Sequence, residues 1–136
     1  MAEQPETVTR LAEDLVRVIA PNPSPMTYWG TNTYLIGRSD VAVLDPGPED
    51  PAHLETVAAA VPPGGGVSHI LVTHAHRDHS AGAAAFAARF NAPVLAYGDA
   101  LAGRAPDRIA LADSGLAGGG EGVDLAFRPD ALLADG

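Results

Sequence analysis

Short apolar runs interrupted by tight polar breaks set the pattern of this chain, and few of them are long enough for a sustained helix. Leu15 to Ala20 (LVRVIA) predicts a strand, stopped by Pro21-Asn22-Pro23-Ser24-Pro25, a stiff loop that fits neither a helix nor a central strand. Thr31 to Gly37 (TNTYLIG) and Val41 to Asp45 (VAVLD) predict two more strands, and the Arg38-Ser39-Asp40 break between them is short enough for an antiparallel hairpin. After Pro46-Gly47-Pro48, Asp50 followed by Pro51 predicts the N-cap and first turn of a helix. It runs to about Ala60 and is ended by Pro62-Pro63 and the glycines that follow.

Val67 to Thr73 (VSHILVT) is the most apolar run and predicts a strand covered on both faces. His74 to Ser80 reads as a polar turn, Ala81 to Phe90 as a helix stopped by Asn91 and Pro93, and Ala92 to Tyr97 as a further strand. Beyond Gly98 the pattern weakens: a helix over Leu101 to Leu111, a flexible Gly118 to Gly120 and a strand over Val123 to Phe127 are expected. The order β, ββ, α, β, α, β predicts an α/β (α+β) domain with a mixed sheet and helices packed on it. No repeat or linker divides residues 1–136, so a single domain is expected.

Composition narrows the function. The chain has 136 residues with a formal net charge of −9, which disfavours gripping nucleic acid through a basic surface. It has no Cys, which removes disulfides, thiolate zinc sites and cysteine nucleophiles together. The first twenty residues carry Glu3, Glu6, Glu13 and Asp14 and lack an uninterrupted apolar run, so neither a signal peptide nor a membrane anchor is expected there. Cytoplasmic placement is the simplest expectation.

The chemistry concentrates in Thr73-His74-Ala75-His76-Arg77-Asp78-His79-Ser80, three imidazoles and a carboxylate directly after an apolar strand. His74 and His76, two apart on extended backbone, project to one side, and the turn brings Asp78 and His79 round to the same point. Imidazole plus carboxylate without thiolate suits zinc, with manganese or iron also possible, in an open site that holds water. Asp45 could serve as an acceptor that steadies a ligand imidazole or as a residue capping its own turn. Asn32 and Thr33 are expected to satisfy local backbone groups. Tyr28 and Trp29 fit either an apolar wall of the site or closure of the core, and His53 and His69 are not expected to be ligands.

The HxHxDH pattern of residues 74–79 resembles the signature of the metallo-β-lactamase superfamily. The stretch from Asn22 through Gly30-Thr31-Asn32-Thr33-Tyr34, with Leu44-Asp45-Pro46-Gly47, is similar to lactamase-like hydrolases related to an endoribonuclease of animal mitochondria. The resemblance implies a four-layer αββα sandwich, of which this chain is the amino-terminal half, and favours Tyr28 and Trp29 as a wall of the site. It also implies two metal ions sharing a hydroxide, with His74 and His76 on the first and Asp78 and His79 on the second. Asp78 would also orient the hydroxide or take its proton, the catalytic role; no residue stands out as proton donor to the leaving group.

The substrate implied is an ester, thioester or phosphodiester, carried by a small molecule or a single-stranded nucleic acid. Two catalytic metals need about six protein ligands, and here no His follows His79. The missing carboxy-terminal half is therefore the expected partner, and the chain alone is expected to be inactive. A non-catalytic metal-binding or partner-binding module is the alternative. If the chain is half of a sandwich, its second sheet face should be apolar and open.

Overall fold

The computed structural model describes residues 3–99 and 123–134. Among the described residues seven strands form one mixed sheet in sequence order: β1 (Val8–Ala12), β2 (Leu15–Ile19), β3 (Asn32–Ile36), β4 (Val41–Leu44), β5 (Val67–Leu71), β6 (Val94–Ala96) and β7 (Ala131–Leu132). β1 to β4 are antiparallel neighbours, and β4 to β7 run parallel. The expected hairpin is present, with Leu35 opposite Val43.

Two helical crossovers join the parallel strands: α1 (Pro51–Ala60) between β4 and β5, then α2 (Arg77–Ser80) and α3 (Ala83–Phe90) between β5 and β6. Both steps travel the same way across the sheet, and right-handed connections then put their helices on one face. Asp50 caps α1 as its sequence predicts, accepting from the backbone N–H groups of Ala52 (2.8 Å) and His53 (3.2 Å). Val61, the residue before Pro62, turns extended and ends the helix. Asn91 ends α3 in the left-handed conformation at φ 51°.

The core lies between these helices and the sheet. Val18, Leu35, Val43, Ile70 and Val94 line the sheet side, against Val57 of α1 and Phe86 of α3. Each such side chain contributes about 1.5–3 kcal/mol by leaving water. Phe86 and Phe90, four residues apart, meet edge to face at 5.8 Å.

Several expectations need correction. β5 is not covered on both faces, since Ser68 and His69 are exposed while Ile70 is buried. The expected helix from Ala81 begins at Ala83, and the polar turn before it contains a helical turn of its own. Val123 to Phe127 is no strand: Val123 makes an isolated bridge to His76, and the chain then turns. β1 and β7 were not foreseen. The helix at Leu101 to Leu111 and the glycines at 118–120 lie outside the described residues. Among those described, no helix is long and apolar enough to cross a membrane.

Candidate metal centre

Parallel strands β4 and β5 end side by side, and their carboxyl ends deliver the polar residues to one place. Asp45 follows β4, and its N–H donates to Leu71 O of β5 at 2.7 Å. Backbone bonds then stitch the Asp45-Pro46-Gly47 turn to the motif: Gly47 N donates to His79 O (3.1 Å) and Gly82 N to Gly47 O (2.9 Å). On the far side Asp124 N donates to Ala75 O at 2.7 Å, so the stretch beginning at Val123 braces the loop carrying His74 and His76.

Asp45 sits at φ 54°, in the left-handed region that Asp tolerates better than most side chains. The residue is 6% exposed, and its carboxylate organises the site. Thr73 N donates to Oδ1 (2.8 Å), the Thr73 hydroxyl donates to Oδ2 (2.7 Å), and His79 Nδ1 lies 2.9 Å from Oδ2. Asp45 is thus the acceptor that steadies an imidazole, the first of its two sequence readings.

These bonds settle the tautomers. A carboxylate only accepts, so His79 carries a hydrogen on Nδ1. The Thr73 hydroxyl gives its one hydrogen to Asp45, so the 2.9 Å contact between Thr73 Oγ1 and His74 Nδ1 is donated by the imidazole. In each neutral ring Nε2 is left as a lone pair, the form in which histidine binds metal.

The three motif imidazoles adjoin. Ring centroids of His74 and His76 are 4.9 Å apart, and those of His74 and His79 4.3 Å. Asp78 is 5% exposed, with Oδ2 3.5 Å from His79 Nε2 and Oδ1 buried without a hydrogen-bond partner. The hydrogen bond to Asp45 raises the His79 pKa above its ordinary value, against burial and with help from the Asp45 and Asp78 charges. Burial lowers that of His74, followed by its His79 and His76 neighbours.

The donor chemistry fits a divalent cation. The buried Asp78 Oδ1 is an acceptor without a donor, and a cation would satisfy it. The donors do not already form a cage: among the described residues no group of three or more His, Asp or Glu side chains closes on one point. His74, His76, Asp78 and His79 are thus neighbours rather than a finished coordination shell.

Thr73 was missed in the sequence, although its place directly before the first histidine is a usable signal. The Val123 and Asp124 brace gave no local signal, being more than forty residues away. His69 is exposed on β5, and His53 is buried beneath Thr33. Thr33 does satisfy backbone, donating to Asp45 O at 2.6 Å. The expected aromatic wall is not formed over the motif: Tyr28 is exposed, and Trp29 lines a cavity of about 530 Å³ with Ile19, Pro21 and the start of α1. None of the four motif side chains lines that cavity.

Residues 26–126, more than half of the chain, match the Metallo-beta-lactamase superfamily. The chain belongs to that superfamily. Beta-lactamase-like protein 2 homolog of Drosophila melanogaster is 42% identical over 80 residues, 55% of this chain and 27% of that protein. An atrochrysone carboxyl ACP thioesterase of a Cryptosporiopsis species is 33% identical over 79 residues, 57% of this chain and 24% of that protein. A Cronobacter sakazakii metallo-beta-lactamase variant superposes with a TM-score of 0.62 at 18% identity, over 97% of this chain and 49% of that one. The chain therefore spans about a quarter of the length of the curated relatives it matches, and about half of this solved neighbour.

Proposed function

We propose that this metallo-β-lactamase chain is the amino-terminal portion of a metal-dependent hydrolase. His74 and His76 hold one divalent ion, zinc before manganese or iron, and Asp78 and His79 hold a second. One observation carries the reading: the buried Asp78 carboxylate leaves Oδ1 without a hydrogen-bond partner next to a group of adjoining imidazoles, a donor set that a cation completes. When bound, the ions supply a hydroxide nucleophile at neutral pH and polarise the carbonyl or phosphoryl oxygen under attack.

The chain's own residues do the rest. Asp45 fixes the His79 ring and, through Thr73, the His74 ring. Each ring is thereby left with Nε2 available as a ligand. Asp78 orients the nucleophile or accepts its proton, within reach of what His79 holds. The substrate class is an ester, thioester or phosphodiester, and the name of the thioesterase relative supports a thioester. The remaining ligands belong to a carboxy-terminal half of a longer protein.

A second reading has its own support. With four candidate ligands and no preformed cage among the described residues, the chain could be a module that takes up one ion without turnover. Calorimetric titration with zinc, followed by thioester and phosphodiester reporter assays of the longer protein, separates the two. A hydrolase binds zinc, turns over and loses both on His76→Ala; the module binds zinc and never turns over. Absence of zinc uptake by either polypeptide overturns both.

A further inference from the structure

His53 is assigned no part in metal binding, yet it is 1% exposed beneath the turn that holds Asp45. Its Nε2 lies 2.9 Å from Thr33 Oγ1, and Thr33 Oγ1 lies 2.6 Å from the backbone carbonyl oxygen of Asp45. The direction of this chain follows from counting hydrogens. A carbonyl only accepts, so the Thr33 hydroxyl spends its one hydrogen on Asp45 O, and the hydrogen between Thr33 and His53 comes from the ring. His53 is therefore protonated on Nε2. Its Nδ1 is buried with no hydrogen-bond partner, which suits a bare lone pair better than a stranded N–H. Burial lowers the His53 pKa, outweighing the nearby charge of Asp50, so the ring stays neutral near pH 7.

The geometry around it is close. A Cβ on Gly47, itself at φ 84°, would come within 3.2 Å of His53 Nε2, so this ring fills the underside of the Asp45-Pro46-Gly47 turn. The left-handed backbone of Asp45 is a conformation that surrounding contacts must maintain. The contact that holds its carbonyl from below is Thr33, and Thr33 is held in turn by His53.

We infer that His53 is a positioning residue. As the Nε2–H tautomer it clamps the Thr33 hydroxyl onto the Asp45 carbonyl and so fixes the turn from which the Asp45 carboxylate reaches Thr73 and His79. A side chain in the first turn of α1 thereby sets the aim of imidazoles on the far side of the sheet's end. The consequence for metal rests on the proposed metal centre; the clamp itself does not.

The test keeps those two apart. Long-range proton–nitrogen NMR of the labelled wild-type chain should show His53 neutral at pH 7, with its hydrogen on Nε2 and a bare Nδ1. Thr33→Val, which removes the hydroxyl and keeps the shape, should speed deuterium exchange of the Thr73 amide roughly fivefold. Thr33→Ser should restore the wild-type rate, and His53→Gln, which keeps a donor, should stay closer to wild type than His53→Leu. A ring that merely packs would show the opposite order, since Leu fills apolar space better than Gln.

Zinc affinity should fall with the same variants and in the same order. An Nδ1–H tautomer or an imidazolium in the wild-type chain overturns the proposal, and that measurement needs no variant to fold. Unchanged Thr73 exchange in Thr33→Val also overturns it. Failure of the wild-type chain to bind zinc removes the metal centre, while the tautomer and exchange results still decide the clamp.

Discussion

Asp45 shows what one residue can and cannot reveal in sequence. Its position at the end of an apolar strand was legible, but its two possible roles were not separable, because a turn-capping Asp and a ring-holding Asp look alike until the neighbouring strand is placed. Parallel pairing of β4 with β5 is the fact that decides it, since it brings Thr73 and His79 within 3 Å of the carboxylate. The chemistry predicts the cost of losing it. Asp45→Asn keeps the size but puts an NH₂ group where an oxygen must accept, against donors from Thr73 or His79. Zinc affinity should fall about 10- to 100-fold in calorimetric titration, the range found when a partner of a metal-binding histidine is removed. An unchanged affinity would mean that the His79 ring needs no orienting group.

At the scale of elements, legibility followed how local the determining physics is. α1 is specified by its own ends: Asp50 as cap, Pro51 in the first turn, Pro62 beyond the last. The expected boundaries match the observed Pro51–Ala60. Asp50→Ala leaves the N–H groups of Ala52 and His53 without their acceptor and should lower unfolding stability by about 1 kcal/mol in urea titration. A cost near zero would mean that water satisfies the exposed first turn. By contrast β1 escaped notice because Val8–Ala12 is mostly exposed and lacks a clear apolar alternation; it exists by pairing with β2, with Val8 opposite Val18. The two-residue β7 is likewise defined only by its neighbour β6. The strand expected at Val123 to Phe127 failed for the complementary reason. Phe127 there is buried by packing into the core without sheet pairing, while Leu125 and Ala126 are exposed.

For the whole molecule, the sheet has two unequal faces. Both long helices cover the face bearing Val18, Leu35, Val43, Ile70 and Val94, while register places Leu15, Tyr34, Ile36, Ala42, Leu44, Leu71 and Leu95 on the other. Among the described residues no helix packs on that second face. Ile36 is 43% exposed there, and Arg17 on the same face has a buried Nε with no partner. Half a sandwich would leave such a face open, and an exposed apolar surface of that kind binds hydrophobic dyes and promotes association. The chain by itself should therefore enhance anilinonaphthalene sulfonate fluorescence in native buffer, with near-ultraviolet circular dichroism confirming that its core is still packed. Ile36→Lys places a charge on that face and should reduce the signal without lowering stability, because Ile36 belongs to no part of the buried core. A longer polypeptide that supplies the proposed second half should bury the same surface and give no enhancement. If the short chain leaves the dye dark while remaining monomeric and folded, its second face is already satisfied, and the proposal that a further half of the protein completes both the sandwich and the metal centre loses its structural support.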